Sequence, residues 1–364
     1  MKRTVPILTL LFSLFAVSPL LAAETDTIPA PQTKGQKLLN AVGERLKFSG
    51  FFQAGYTGVM NGDIPLSKMR AGDNTFAVNR LCFIVRANLA KGLDVVYQGD
   101  FSYSFNMLDF YATYELNPAF VLSFGQQQTP LTIENQLPPF FAETINLGSP
   151  ITNFLISADP SNPLNGVQTG RDIGLMLKGD LFKNLIGYKI GLFNGQGINS
   201  RDLDKNKALS GSLSVRPLRG LELQGSFWTG TMVAKGPAAF TAGERHVEAG
   251  QTFTRDRWSA GAAYSSPAWS LRGEYVWGKD DAVVSDGFYF TGRARLYKGL
   301  EAVLSYTRAA YNRGGLDPLT ADYYIAGLQY WFLPKCRLQV EYNLNAPHAG
   351  TLSHAVQAQL QFAF

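Results

Sequence analysis

The sequence predicts an all-β protein, a transmembrane antiparallel β-barrel of sixteen strands. Three observations lead to this prediction. From residue 47 onward, apolar and polar residues alternate, as they do in strands that have one face in an apolar medium. Short turns alternate with mostly long, polar connections, which is typical of bacterial outer-membrane barrels. The chain also ends on an amphipathic strand, AVQAQLQFAF, whose last residue is the aromatic Phe364.

The segment before the predicted barrel has two parts. A positive start, followed by an apolar stretch that closes with small residues, indicates a signal peptide over 1–23. A membrane anchor is the alternative, but the apolar stretch is short and contains a proline. Residues 24–46 indicate a periplasmic linker, with a possible short helix near 35–46. The barrel is predicted over 47–364, and this places the protein in the outer membrane of a Gram-negative cell.

Single strands show the alternation directly. In RLQVEYNL, residues 337–344, Leu338 and Val340 share one face, whereas Gln339 and Glu341 share the other. The apolar face should contact lipid and the polar face should line the lumen. Because a soluble sandwich also alternates, the prediction depends on the number and spacing of strands. The predicted strands are 47–59, 76–89, 94–104, 106–116, 120–127, 171–181, 186–195, 208–216, 221–233, 258–265, 270–279, 288–296, 301–311, 323–332, 337–345 and 354–364.

Closure of the sheet explains the ordered end of the chain. In lipid every backbone N–H and C=O must be paired, so the last strand must pair with the first. The longest predicted connection, 128–170, follows the fifth strand. It contains the apolar clusters LPPFF at 137–141 and ITNFLI at 151–156, which a solvated outer loop would not readily bury. We therefore expect part of this third loop to fold into the barrel as a constriction.

Charged side chains on the strands should face the lumen, because a charge facing lipid at the midplane would cost about 2–4 kcal/mol. The inferred cations and anions of the wall balance one another, so we expect weak anion selectivity. The candidate anion-contact residues lining the pore are Arg80, Arg86, Lys178, Lys189, Arg272, Arg293 and Arg295. The candidate residues of the constriction loop are Glu134, Glu143 and Asp159. Such charges either bias solute traffic or pair with each other and brace the wall.

Two stretches resemble a known family. GRDIGLMLKGDLFKNLIGYKIGLFNGQGIN, residues 170–199, is similar to a strand pair of the porins O and P, the phosphate-selective porin family. FGQQQTPLTIENQ, residues 124–136, resembles the family's fifth strand as it enters the third loop. The resemblance covers roughly residues 45 to 364 and implies a homotrimer with the third loop folded inward. Anion-binding members carry Arg and Lys on that loop, whereas 128–170 carries neither, so no ligand residue transfers to it.

Other function classes find little support in the sequence. The histidines, His246, His348 and His354, show no spacing with a nucleophile that would indicate a catalytic site. No metal-ligand pattern and no basic run for nucleic acid is present. Cys82 and Cys336 lie far apart and do not indicate a disulfide framework. We therefore expect no enzyme activity, no cofactor and no bound metal.

The sequence as a whole predicts a porin that passes small hydrophilic solutes by diffusion through a water-filled lumen. Phosphate and other inorganic anions are the candidate solutes. The expected partners are outer-membrane lipid, these solutes and, by resemblance, two further copies of the chain. The alternative is a surface-binding or structural barrel that is plugged by the loop 128–170.

Overall fold

The computed structural model describes residues 43–62, 71–156, 170–234, 240–242, 245–312 and 318–364. The predicted signal peptide and nearly all of the predicted linker lie outside the described residues. Of the expected helix near 35–46, only residues 43–46 are described; residues 43–45 are helical, and Leu46 already belongs to the first strand. No helix among the described residues is both long enough and apolar enough to cross a membrane.

Sixteen antiparallel strands of the described chain close into one barrel, so the predicted fold and strand count are confirmed. The strands are β1 Leu46–Asn61, β2 Asn74–Ala90, β3 Leu93–Asp100, β4 Asn106–Asn117, β5 Phe120–Gln128, β6 Arg171–Leu181, β7 Ile186–Phe193, β8 Ala208–Leu218, β9 Leu221–Val233, β10 Thr252–Ser265, β11 Trp269–Asp280, β12 Val283–Tyr297, β13 Leu300–Tyr311, β14 Leu319–Leu333, β15 Cys336–Pro347 and β16 Ser353–Ala363. Each strand pairs with its neighbours in the sequence, and β1 pairs with β16.

The last residue is fixed by the first strand. The backbone N–H of Phe364 donates to the carbonyl of Gly50 (3.0 Å), and the N–H of Gly50 donates back to Phe364 (3.2 Å). A Cβ on Gly50 would lie 2.8 Å from the Phe364 ring and 2.7 Å from the Cys82 carbonyl. A glycine is therefore needed where these chains approach, and the aromatic terminus completes the closure of the barrel.

Side chains point as the alternation predicts. On β15, Leu338 and Val340 are each 45% exposed on the outer face, whereas Gln339 and Glu341 are 1% and 2% exposed on the inner face. The period of a strand forces these two sets apart, and a slip of one residue would exchange them. The predicted register of this strand is confirmed.

Several strands extend further than predicted at the rim of the long connections. The stretch 280–287 is predicted to be a connection, but β11 continues to Asp280 and β12 begins at Val283. Likewise, β10 begins at Thr252, several residues before its predicted start. On the inner side of these extensions Arg255 pairs with Asp280 (2.8 Å), and Phe253 and Val283 are buried in an apolar cluster. The period-two apolar pattern fades in these extensions, although strand pairing continues.

Two smaller departures occur at the same rim. β3 ends at Asp100 and does not reach residue 104. The Asp100 carboxylate accepts hydrogen bonds from the backbone N–H of Ser102 (3.0 Å) and of Leu81 (3.2 Å), and this turns the chain away from the sheet. A short hairpin, Phe240–Ala242 with Arg245–Val247, lies within a stretch predicted to be a loop.

The connection after β5 is described up to residue 156 and again from residue 170. Its described part contains two 3-10 turns, Glu134–Gln136 and Pro139–Phe141, and one helix, α1, Pro150–Leu155. The hydroxyl of Ser149 accepts a hydrogen bond from the backbone N–H of Thr152 and caps α1. We call residues 129–156 the inner loop, for the contacts described next.

Candidate functional site

The inner loop lies against side chains that face the inside of the barrel. The backbone N–H of Ile133 donates to the Glu274 carboxylate on β11 (3.0 Å). Further along, the N–H of Ile145 donates to Glu341 on β15 (2.9 Å). Both carboxylates are inward-facing and buried. The described part of the third loop is therefore held inside the barrel by the wall.

One residue of the inner loop adopts a strained backbone. Thr132 has a φ of +57°, which a β-branched residue rarely adopts. Its N–H donates to the Ser226 hydroxyl on β9 (2.9 Å), and its carbonyl accepts from Gln136 (2.7 Å). Strain of this kind costs about 1–3 kcal/mol and persists only where neighbouring contacts hold it. The loop therefore has one defined path at this point.

A buried ion cluster ties the inner loop to β11. The Arg272 guanidinium lies 2.9 Å from Glu143 and 3.6 Å from Glu134, and both carboxylates belong to the loop. All three side chains are largely buried. The structure therefore brings three predicted site residues together, but as an anchor. The Arg272 charge is neutralised by the loop, and it is not presented to a passing solute.

A second anchor lies on β15. The Arg337 guanidinium donates to the carbonyl of Ala142 and to the Gln329 side chain (both 2.6 Å). Gln361 of β16 donates to the carbonyl of Phe140 (3.2 Å). The alternation assigns Arg337 to the lumen, but its role in holding loop carbonyls has no signal in the sequence.

The helix α1 fills part of the lumen with an apolar core. Its Phe154 ring stacks on Tyr311 of β13 at 4.7 Å between ring centroids. Ile151 and Leu155 are also buried, in one cluster with Val276. Strand alternation predicts polar residues at inward positions, and Val276 and Tyr311 break that expectation. They are apolar because the inner loop, and not water, covers them.

We call the space beside β11 and β12 the arginine cavity. It is lined by Arg272, Arg293 and Arg295 together with Glu143 and Glu301. Arg293 forms an ion pair with Glu301, and Arg272 pairs with Glu143 as described. Arg295 is exposed. Two of the three predicted anion contacts in this cavity are therefore neutralised by carboxylates.

We call the space between the inner loop and strands β2 to β7 the lysine cavity. It measures about 300 Å³, and Arg86, Lys178 and Lys189 line it. Lys178 and Lys189 are direct partners across β6 and β7. Among the described residues, no carboxylate lies within 4.0 Å of either ammonium group. The Lys189 ammonium donates to the Gln136 amide of the inner loop (2.5 Å).

The other charges at the lysine cavity do not cancel this pair. Asp109 is the one carboxylate of its described lining, and Arg171 binds it through two hydrogen bonds of 2.9 and 3.0 Å. Arg86 is exposed and lies 4.0 Å from Asp94, a distance at which a surface pair contributes little. The lysine cavity therefore carries a positive charge excess.

The remaining predicted site residues lie elsewhere. Arg80 donates to Gln53 on the neighbouring strand (2.8 Å) and lines neither cavity. Asp159 lies outside the described residues. Arg171 was missed by the sequence reasoning because alternation assigns its neighbour Asp172 to the inner face. Within the described chain, no group of His, Cys, Asp and Glu side chains could hold a metal ion.

No family model and no curated protein matches the chain. Solved structures do match it. OmpT of Vibrio cholerae, an outer membrane protein in its trimer form, is 11% identical, with a TM-score of 0.62 over 88% of this chain and 99% of that chain. An anion-selective porin from Comamonas acidovorans is 14% identical, with a TM-score of 0.62 over 88% and 99%. OmpF of Salmonella typhi in complex with daunomycin is 13% identical, with a TM-score of 0.63 over 88% and 97%.

The chain has the fold of an outer-membrane β-barrel. At these identities the likeness establishes the fold alone. The apolar outer face and the polar inner face agree with this fold. In lipid, only a closed sheet can pair all of its backbone N–H and C=O groups. The family resemblance of the sequence to the porins O and P stays a prediction.

Proposed function

We propose that the protein is a porin of the outer membrane that passes small hydrophilic solutes by diffusion and prefers anions. The observation that carries the proposal is the Lys178–Lys189 pair. Like charges directly opposite on adjacent strands are destabilising. A structural role would place a carboxylate beside them, as at Arg171 and Asp109. Cations that remain unpaired at a water-filled lumen favour the entry of anions.

In the proposed mechanism the inner loop is the constriction. Its anchors hold it against β9 to β16, and the lysine cavity is the space left beside β2 to β7. Solutes pass between the loop and the strand wall, and the positive charges of Lys178, Lys189 and Arg86 attract anions. Lysine acts as a point charge and lacks the planar fork of arginine. We therefore expect a weak preference that includes phosphate and other inorganic anions, without a dedicated phosphate site.

Direct measurement of conductance tests this function. Purified protein in a planar bilayer should give ohmic single-channel steps, and a KCl gradient should give a reversal potential on the anion-selective side. The preference should decline as salt rises, because charges are screened beyond about 10 Å at 0.1 M. A cation-selective reversal potential would overturn the anion preference while leaving the porin function in place.

A plugged barrel is the second candidate, and the helix α1 favours it. This helix lies in the lumen with an apolar core beneath it, as a plug does. A plugged barrel predicts no ohmic steps in the intact protein and steps after deletion of residues 150–155. A porin predicts steps in both proteins, with a larger conductance after the deletion.

We also propose a homotrimer, in line with the family resemblance. An exposed aromatic cluster supports this assembly, and it lies near the place where β1 and β16 pair. The Phe83 ring lies 5.7 Å from Phe101 and 6.4 Å from Phe364, and Phe101 lies 5.2 Å from Phe105. Multi-angle light scattering in detergent gives the mass of the assembly. The mass of a single chain would contradict the proposal.

A further inference from the structure

The lysine cavity has two walls of opposite character. The strand wall carries the cations Arg86, Lys178 and Lys189. The inner loop contributes Pro138, Pro139 and Phe140 to the same cavity, and none of these carries a charge. A small inorganic anion would use only the first wall. A cavity with both walls fits a ligand that is charged at one end and apolar at the other.

Apolar side chains continue onto the strand wall. Ile84 on β2, Val96 on β3 and Met176 on β6 all face inward and line the cavity. Ile84 is partly exposed, and it lines the same cavity as Phe140 of the inner loop. On β15 and β16, in contrast, inward positions such as Gln339 and Gln357 are polar. Apolar inward-facing side chains therefore lie in the same cavity as the unpaired lysines.

The apolar wall is held in place before any solute arrives. The Phe140 ring packs on Phe51 of β1 at 5.8 Å and on Phe141 at 4.4 Å. The Phe140 carbonyl is bound by Gln361, so the backbone cannot easily retreat from the wall. Pro138 and Pro139 further restrict the backbone. Because this surface is already ordered, binding of a ligand loses less conformational entropy than it would on a flexible surface.

A tyrosine of the strand wall also lines the lysine cavity. Tyr111 of β4 lines the cavity and is half-buried. Its hydroxyl has no hydrogen-bond partner among the described residues. It can donate to a carboxylate oxygen while its ring contacts an apolar group, because tyrosine combines a large apolar face with a polar tip.

We propose that the lysine cavity binds organic anions with an apolar body, such as aromatic carboxylates, in preference to inorganic anions. The carboxylate contacts Lys178 and Lys189, and the apolar body lies against Phe140 and Ile84. The inference rests on the proposed porin function. A volume of about 300 Å³ is at the lower end of the range of small-molecule sites, which is roughly 300–1,000 Å³.

Block of the chloride current in a planar bilayer tests this selectivity. Sodium benzoate, acetate and phosphate are added in turn to open channels in KCl, and the concentration for half-block is recorded. Benzoate should block at roughly tenfold lower concentration than acetate, since burial of its ring adds apolar contact that acetate lacks. Benzyl alcohol, which has the ring without the charge, should block far less than benzoate.

Three variants separate the two walls. Lys178→Gln with Lys189→Gln should raise the half-block concentration for benzoate and acetate alike. Phe140→Ala and, separately, Ile84→Thr should raise it for benzoate several-fold, as expected for lost apolar contact, and leave acetate unchanged. Ile84→Thr decides the matter if Phe140→Ala does not fold, because it keeps a β-branched residue in the strand. Arg295→Gln is the control, since Arg295 lines the other cavity.

The outcomes distinguish this inference from the function on which it rests. Ohmic channels that benzoate, acetate and phosphate block equally would overturn the organic-anion preference and leave the porin in place. Equal block by benzoate and benzyl alcohol would show that the charge plays no part, and would also overturn it. Absence of any ohmic step would overturn the porin function, and the inference with it.

Discussion

Cationic side chains line both cavities of the lumen, but their partners differ. In the arginine cavity, Arg272 and Arg293 pair with Glu143 and Glu301. In the lysine cavity, Lys178 and Lys189 face each other, and no carboxylate of the described residues lies within 4.0 Å of their ammonium groups. Both pairs sit on adjacent strands. The difference shows that the net charge of a wall depends on the partners of its cations and not only on their number.

The difference follows the path of the inner loop. The loop brings Glu134 and Glu143 to β11, where they neutralise Arg272. Toward β6 and β7 it presents Gln136 and prolines, which carry no charge. An acidic loop therefore does not imply a cation-selective lumen. The carboxylates of the loop pair with Arg272 and anchor the loop, whereas the lysines on the opposite side have no carboxylate partner in the described chain and can attract anions.

Removal of the anchor should have the largest effect. Arg272→Met leaves two loop carboxylates buried without their cation, and breaking a buried pair from one side costs about 3–5 kcal/mol. We expect the inner loop to detach, with a larger and noisier single-channel conductance and faster amide exchange in residues 132–145. Combined substitution with Glu134→Gln and Glu143→Gln should restore most of the exchange protection.

Arg80→Met is the matched control for the anchor. Arg80 bonds to the neutral Gln53 and holds no part of the inner loop. Its removal should leave the conductance and the loop exchange unchanged. A conductance that changes equally in both variants would mean that the loop is not held by the ion cluster.

The fold could be read from the sequence to a large extent. Each barrel strand had to bury one face in lipid, so the alternation and the strand count were strong signals. The errors fall where that constraint ends, as at 280–287, where the strands continue to pair although the regular alternation has ended. Asp100 shows the opposite case, in which a single side chain ends a strand that the pattern would have continued.

The site was less accessible to sequence reasoning, for a physical reason. Alternation tells which residues face the lumen, but it does not tell which of them meet across it. Contacts such as Arg272 with Glu143 span more than a hundred residues and depend on the path of a loop without periodicity. The apolar inward positions, such as Val276, likewise make sense only with α1 in place.

A smaller effect is expected at the neutral anchor of the inner loop. Ser226→Ala removes the acceptor of the buried Thr132 N–H, and an unsatisfied buried donor costs about 1–3 kcal/mol. The Thr132 amide should exchange at least tenfold faster in hydrogen-exchange mass spectrometry, while the strands of the barrel keep their protection. Ser212→Ala, on the neighbouring strand β8, is the control. If the Thr132 amide exchanges at the wild-type rate, water has replaced the hydroxyl.

Charge reversal in the lysine cavity should change the sign of selectivity. Lys178→Glu with Lys189→Glu places two carboxylates where anions are proposed to pass. The electrostatic energy of an anion beside them changes by about 1–2 kcal/mol in a water-filled lumen. The reversal potential in a KCl gradient should move to the cation-selective side. Arg295→Glu with Lys298→Glu carries the same change in charge outside this cavity and should shift the potential less.

The smallest effect is expected from the arginine cavity itself. Arg293→Ala with Arg295→Ala removes two cations, as does Lys178→Ala with Lys189→Ala, but Arg337 also lines the arginine cavity with Glu301 and remains in the variant. The Glu301 carboxylate keeps hydrogen bonds from Gln329 (2.7 Å) and Trp331 (2.9 Å) after the arginine is lost. The reversal potential should therefore shift less than in the lysine variant, at 0.1 M and at 1 M KCl. An equal or larger shift would place the arginine cavity on the conduction path, and Arg293 and Arg295 would then select solutes as well as brace the wall.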